Sequence, residues 1–291
     1  MQVFYINDLH DLPKLETCSC TIGNFDGVHL AHKKLIEKTK ISGYRTLVIT
    51  FENINKENFS LTNRKQKISY LEELEIDYLI IIPFAAIKNV FYNEFIKALK
   101  KMKVKYITCG TNFRFGFKRE GDIIDLKNNF KVTVFEDILI NDEKVSTSLI
   151  KEYLIDGKID KANELLEKPY KIIGEVTQGN KIGRQLGFPT ANIDYGSYLL
   201  PKNGVYLSLV KYNNQEYIAM TNIGFNPTLN EQKKKRLEAH IIDFNEEIYG
   251  KTIEISFIKY LREEKKFNSK EELINSLNET INICRQYQNM L

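Results

Sequence analysis

The 291-residue sequence predicts an α/β chain of two domains. Residues 1–166 read as a parallel sheet covered by helices on both faces, and 167–291 as a small six-stranded antiparallel β-barrel with a terminal helix. Three observations carry this. Strand-like runs that are apolar on both faces alternate with helix-spaced runs through the first half, the pattern of a buried parallel sheet. After Pro169, candidate strands follow one another with no helix between them. The length, with 43% hydrophobic residues, is enough to bury two cores.

In the first half, Cys20 to Gly23 reads as a strand end and His29 to Lys40 as a helix. Thr46 to Phe51 (TLVITF) is a continuous β-branched and apolar run, and Arg64 to Leu74 is helical in character. Leu79 to Pro83 is another apolar strand. Apolar residues at 91, 95, 98, 99 and 102 put Phe91 to Met102 on a helix. Val104 to Cys109 and Val132 to Phe135 are further strands. In the second half the strands fall at 170–178, 188–193, 204–212, 215–223, 236–244 and 251–262. Asn213-Asn214 fits a two-residue hairpin loop, because Asn tolerates positive φ. Ser269 with Glu272 fits a capping box that opens the last helix. Leu273, Leu277, Ile281 and Cys284 form one apolar stripe on that helix, expected to pack on the barrel.

Charge narrows the partners. The 42 basic and 38 acidic residues leave a net charge of +4, a mild excess compatible with an anionic small substrate. A nucleic-acid binder would concentrate its basic residues in a stripe; the run Lys233-Lys234-Lys235-Arg236 reads as a solvated loop, so no nucleic-acid partner is expected. The pair Cys18 and Cys20 lacks the second pair a metal site would need, which leaves reduced thiols. Met1 to Leu12 has no apolar core of a signal peptide. No apolar stretch reaches the roughly 18 residues of a membrane span, so a cytoplasmic protein without membrane attachment is expected. Oligomeric state stays open.

The sharpest segment is Gly179 to Asn192 (GNKIGRQLGFPTAN). Gly179, Gly183 and Gly187 with Arg184 suit a loop that closes over phosphates: glycine lets backbone N–H groups approach the anion and the cation neutralises it. On composition alone it could equally be a glycine-rich surface turn. Thr190 and Asn192, at i and i+2 on a strand, project from one face, and their two neutral oxygens could help hold Mg²⁺ against ATP phosphates. Glu238 alone would be one outward charge on an alternating strand.

This segment closely resembles the riboflavin kinase family. The resemblance continues through Gly204-Val205-Tyr206, Thr221 to Gly224, Asn226-Pro227-Thr228, Glu238 to Phe244, Tyr249-Gly250-Lys251, Arg262 and Lys266-Phe267. It implies a six-stranded barrel in which Thr190 and Asn192 bind Mg²⁺ and ATP phosphate, with Gly179, Gly183 and Arg184 in the phosphate loop. It also implies that Glu238 is the catalytic base toward the ribityl hydroxyl of riboflavin, and places Arg262 near the flavin.

In the first half, Gly23-Asn24-Phe25-Asp26-Gly27-Val28-His29 with His32 sits between a strand and a helix, where free N–H groups suit phosphate. His29 and His32, three apart, share a helix face and could stabilise charge on an α-phosphate. Two surface histidines at a helix start is the plainer alternative. The segment resembles the nucleotidyltransferase motif G-x-F-D-G-x-H-x-G-H of bacterial bifunctional riboflavin kinase/FAD synthetases. Gly110 to Gly116 with Arg119 and Gly121-Asp122 resembles that family's flavin-side loop, and Val145 to Lys151 its I-S-S-T-x-x-R block. The resemblance implies a Rossmann-like nucleotidyltransferase domain with His29 and His32 as catalytic residues. Gly23, Phe25, Asp26, Gly27, Ser146, Thr147, Ser148 and Lys151 would bind ATP, and Asn112, Phe113, Arg114 and Phe115 the flavin. The chain would then turn riboflavin into FMN and FMN into FAD, with ATP as co-substrate and pyrophosphate as a product.

Four departures fall in this half: Ala31 for the motif's last glycine, Lys151 for arginine, Ser146-Thr147-Ser148 for the usual hydroxyl order, and Phe51-Glu52-Asn53-Ile54 where the family has Pro-His-Pro. Two alternatives follow: a riboflavin kinase with a degenerate first domain, or a non-catalytic flavin-binding regulator.

Overall fold

The structure is a computed structural model; it describes residues 1–52, 59–179, 183, 186–225 and 235–288. By internal contacts the chain forms two compact units, Met1–Thr147 and Ser148–Leu291.

The first unit is built on a parallel six-stranded sheet. Its strands are β1 (Gln2–Tyr5), β2 (Cys18–Gly23), β3 (Arg45–Glu52), β4 (Tyr78–Pro83), β5 (Val104–Gly110) and β6 (Lys131–Phe135), in the order β1-β4-β3-β2-β5-β6. Around it lie α1 (Leu30–Thr39), α2 (Arg64–Glu72), α3 (Phe84–Ile87), α4 (Tyr92–Lys101) and α5 (Ile123–Lys127), followed by a small hairpin, β7 (Leu139–Ile140) and β8 (Glu143–Lys144). The doubly apolar strands have the expected cause. Leu47 and Ile49 of β3 join Cys20, Ile80 and Leu99 on one face, while Val48 between them joins Ile36, Leu71 and Leu79 on the other. Strand β1, not foreseen from the sequence, adds a short parallel edge beside β4.

In the second unit, α6 (Thr147–Asp156, whose first residue closes unit one) and α7 (Ile159–Leu166) precede β9 (Tyr170–Thr177), β10 (Ala191–Asp194), β11 (Gly204–Tyr212), β12 (Gln215–Phe225), β13 (Lys235–Ile241) and β14 (Thr252–Arg262). These six strands close into an antiparallel barrel in the order β10-β13-β12-β11-β14-β9. Asn213 and Asn214 take φ of 48° and 62°, the left-handed pair a two-residue hairpin requires. Gly174 of β9 has no room for a side chain: a Cβ would lie 2.5 Å from Ile193 Cγ2 of β10.

The terminal helix α8 (Lys270–Gln288) packs on the barrel through Leu277, Ile281 and Cys284, against Val205, Leu207, Ile218 and Met220. This explains why β11 is buried on both faces near its start. Its N-terminus differs slightly from a reciprocal capping box. Ser269 Oγ accepts from Glu272 N, but the Glu272 carboxylate reaches Asn268 N. All four cysteines are free and buried. Burial pushes the thiols up, Cys18 to about 12 and Cys109 and Cys284 to about 11. Among the described residues no helix is long and apolar enough to cross a membrane, and no cluster of three or more His, Cys, Asp or Glu could hold a metal.

Candidate active sites

In the first unit the chain moves from β2 outward through β3 and β4, then returns to the other side of β2 with β5. The order reverses between β2 and β5, and a crevice opens beyond the carboxyl ends of strands at such a switch point. Both sequence blocks lie there, Gly23–His32 after β2 and Gly110–Gly116 after β5.

The turn after β2 is strained. Phe25, Gly27 and Val28 all have positive φ, at 49°, 81° and 43°. For a buried β-branched residue such as Val28 this conformation costs on the order of 1–3 kcal/mol, so surrounding contacts must impose it. Asp26 supplies them. Its carboxylate is 3% exposed and accepts hydrogen bonds from Leu61 N (2.9 Å), Thr62 N (3.0 Å) and Thr62 Oγ1 (3.2 Å). Thr62 Oγ1 in turn lies 3.3 Å from Gly27 N, and the Asp26 carbonyl accepts from Thr147 Oγ1 at 3.3 Å. Asp26 therefore braces the turn from behind, and joins the first and third sequence blocks.

The helix starts one residue later than the sequence suggested. His29 is the N-cap of α1, and its Nδ1 accepts from His32 N at 3.4 Å. The two imidazoles stack, with centroids 3.6 Å apart and planes 18° apart, and Phe25 meets His32 edge-on at 5.0 Å. They are not surface histidines. His29 is 3% exposed, and His32 Nδ1 is buried without a partner among the described residues. Burial pushes His29 down to about 4. It pushes His32 well below its usual value, and the neighbouring His29 and the Lys67 charge add to this. Both rings are neutral at pH 7, each with one N–H to donate.

Beyond β5, Asn112 and Arg114 are exposed, Phe113 is half-buried and Phe115 belongs to the core. Asn112, Phe113 and Arg114 border a cavity of about 380 Å³ shared with Thr111, Arg119 and Asp122. Arg114 pairs with Asp122 at 3.5 Å, and Asp122 caps α5 through Ile124 N and Asp125 N. Gly116 is needed here: its φ is 79°, and a Cβ would lie 2.8 Å from Tyr92 N. Ser148 and Lys151 lie in the first turns of α6, and Ser146 just precedes it.

In the second unit the barrel register brings the separate motifs together. Asn192 of β10 lies directly opposite Glu238 of β13, and Glu238 lies opposite Asn222 of β12. Directly opposed residues share a face, with Cβ atoms about 5 Å apart. Arg236 Nη1 reaches Glu238 Oε1 at 3.3 Å, while Oε2 has no hydrogen bond among the described residues. Asn222 Nδ2 donates to Glu264 at 3.3 Å. Thr190 precedes the strand rather than standing on it, since β10 begins at Ala191. His240 holds that approach: its Nδ1 lies 2.8 Å from the Pro189 carbonyl, and its ring meets Phe188 edge-on. Gly179 packs onto Asn192 so closely that a Cβ would lie 2.7 Å from Asn192 Cγ, and a Cβ on Gly183 would lie 3.4 Å from Thr190 Oγ1. A cavity of about 240 Å³ lies beside Thr190, lined among others by Ala239, Ile241, Phe244 and Tyr249.

The comparisons match this arrangement along the whole chain. A family model described as FAD synthetase matches residues 11–149, and one described as riboflavin kinase matches 166–288. The bifunctional riboflavin kinase/FMN adenylyltransferase of Buchnera aphidicola subsp. Schizaphis graminum is 36% identical over 98% of this chain and 99% of its own. The chain belongs to the bifunctional riboflavin kinase/FMN adenylyltransferase family. The family's Listeria monocytogenes member is 34% identical over 88% of both chains, and the Escherichia coli K12 member 31% over 92% of this chain and 91% of its own. A solved structure from Streptococcus pneumoniae, described as a macrolide-efflux protein, shares the fold. Its TM-score is 0.88 at 27% identity, covering 97% of this chain and 98% of that one.

Several of these positions also make contacts that their motifs did not announce. Phe25 is fully buried and packs in the core beside Val28. Arg262 donates from Nε to Thr280 Oγ1 of α8 at 3.2 Å, anchoring the helix, and burial pushes its pKa down. Lys235 and Arg236 are half-buried on β13, where a solvated loop was expected. Arg184, Asn53, Ile54, Lys233, Lys234 and Asn226 to Thr228 lie outside the described residues. Thr50, Thr62 and Lys67 behind the first site, and Arg236 and Glu264 around Glu238, escaped the motif reading. The Thr62-Asn63 pair just before α2 was the one local signal, since Asn63 caps that helix.

Proposed function

We propose that the chain makes FAD from riboflavin in two ATP-dependent steps, phosphorylation in residues 167–291 and adenylylation in residues 1–166. The observation that carries this reading is the register of Asn192 against Glu238, matched in the first unit by the bracing of the histidine turn at the β2/β5 crevice.

In the barrel, Glu238 accepts the proton of the ribityl 5′-hydroxyl as that oxygen attacks the γ-phosphorus of ATP; the bond to ADP breaks and FMN forms. Arg236 orients the carboxylate through one oxygen and leaves the other for the substrate. Gly179, Gly183 and Arg184 cover the phosphates, the cavity beside Thr190 takes the adenine, and Arg262 stands near the flavin. The neutral oxygens of Thr190 and Asn192 fit the oxygen preference of Mg²⁺, and Gly179 leaves the amide of Asn192 uncovered by any side chain of its own. Magnesium, when bound, neutralises phosphate charge in such reactions.

At the crevice, FMN lies at Asn112, Phe113, Arg114 and Phe115, and one of its phosphate oxygens attacks the ATP α-phosphorus while pyrophosphate leaves. His29 and His32 donate N–H bonds to the charge developing there. Gly23, Phe25, Asp26 and Gly27 shape the phosphate turn, and Ser146, Thr147, Ser148 and Lys151 bind ATP. Four unpaired cysteines accord with work in the cytoplasm.

The test is a time course of flavins after mixing the chain with riboflavin, ATP and Mg²⁺. FMN should rise and then give way to FAD. FMN accumulating without FAD, even when FMN is supplied, would refute the second step and leave a kinase alone. Formation of neither would refute both.

A further inference from the structure

Lys67 sits on α2, where the sequence shows only one more helical lysine. Its side chain turns inward. The ammonium donates to the Asn24 carbonyl at 2.7 Å and to the Phe51 carbonyl at 3.4 Å, and lies 3.5 Å from Asn24 Oδ1. Thr50 Oγ1 donates to the same Asn24 carbonyl at 2.9 Å. Asn24 lies between Gly23 and the strained residues Phe25 to Val28, so this contact restrains the turn at a second point besides Asp26. Partial burial pushes the lysine's pKa down, while Asp26 and Glu52 pull it back up. Enclosing a cation in this way is costly unless its charge is used. The charge acts on the site: it helps keep His32 neutral.

We propose that Lys67 is a positioning residue of the adenylyl-transfer step. Its ammonium ties the turn after β2 to the end of β3 and places a fixed positive charge behind the histidine pair. This rests on the reading of the first unit as the adenylyltransferase. The imidazoles then serve as neutral N–H donors, while the net positive charge felt by the α-phosphate comes from a lysine held by two carbonyls. The groups facing His32 are His29, Phe25 and Lys67; those facing Lys67 are Asp26, committed to Leu61 and Thr62, and Glu52, paired with Arg64.

The test compares the full chain with Lys67→Met, which keeps length and removes charge, and Lys67→Arg, which keeps charge and donors. FAD formation from FMN and ATP and FMN formation from riboflavin are measured on each. In Lys67→Met the kcat for FAD should fall about thirtyfold or more, with KM for ATP and FMN changed little, because the contact matters most in the transition state. FMN formation should stay near wild type, and Lys67→Arg should recover most of the lost rate. The acid limb of kcat for FAD should move to higher pH in Lys67→Met and stay in place in Lys67→Arg, since removing a nearby cation eases protonation of His32. Unchanged FAD formation in Lys67→Met, or equal loss in both variants with a fixed acid limb, would overturn the proposal. If Lys67→Met also loses FMN formation, Lys67→Gln, which keeps a donor for Asn24, is judged by the same split and the same refuting results. A wild-type chain that makes FMN and no FAD overturns the reading of the first site, and this inference with it.

Discussion

Acidification should weaken the first unit through His29. The imidazole is 3% exposed, and burial pushes it from its usual 6.5 down to about 4. In the unfolded chain it protonates as pH falls below 6.5, whereas in the folded unit it stays neutral until near 4. The unfolded state thus binds more protons across that window, and stability falls with pH. A shift of this size removes about 2 kcal/mol by pH 5 and about 3 kcal/mol by pH 4. His32 shifts in the same direction, partly because of His29, so these figures are a floor for the pair. Carboxylates also titrate on acidification, and a variant cancels their contribution. His29→Asn keeps a helix-capping oxygen where Nδ1 accepts from His32 N, and removes the imidazole. Hydrogen exchange read on peptides of β2 and β3, between pH 7 and 5, separates this unit from the barrel. Wild type should lose about 2 kcal/mol more protection than His29→Asn in those peptides, with barrel peptides alike in both. Parallel losses in the two proteins would show that burial does not depress His29, and the neutral-donor role for the pair would fall with it.

Glu238→Gln should lower FMN formation by about 10²–10⁴-fold while FAD formation from supplied FMN continues; chromatography of the flavins reads both. Asp26→Asn replaces a carboxylate that accepts from Leu61 and Thr62 with an amide that can accept on one oxygen only. It should cost about 2–4 kcal/mol of first-unit stability, measured by denaturant melts. Gly179→Ala would push a methyl group onto the Asn192 amide, so the KM for ATP in the kinase step should rise about tenfold with FAD synthesis from FMN unaffected.

Where a feature is carried by local pattern, the sequence was readable. The β3 strand is announced by TLVITF and the β11–β12 hairpin by Asn213-Asn214, because each depends on neighbours in the chain. The glycine-rich run 179–192 and the histidine turn were visible for the same reason. What could not be read depends on partners far along the chain. Asp26 looked like a phosphate ligand beside His29, yet its hydrogen bonds go to Leu61 and Thr62 across the turn. Lys67 drew no attention, since nothing local says that Asn24 and Phe51 offer it carbonyls. Edge strand β1 has only four residues and gains its identity from β4. Arg236 read as part of a loop because its meaning comes from Glu238 two residues on, and that pairing exists only once the strand does.

The closed barrel has a consequence for how such a chain can change. An open sheet could let β13 slide by one residue at its margin, which would turn Glu238 inward and away from Asn192. A ring of six strands offers no margin to slide along, because shifting one strand breaks both of its ladders at once. Glu238 and Asn192 are therefore geared like meshed teeth, and the stretches between strands, such as 195–203 or 242–251, can lengthen without putting the two out of step.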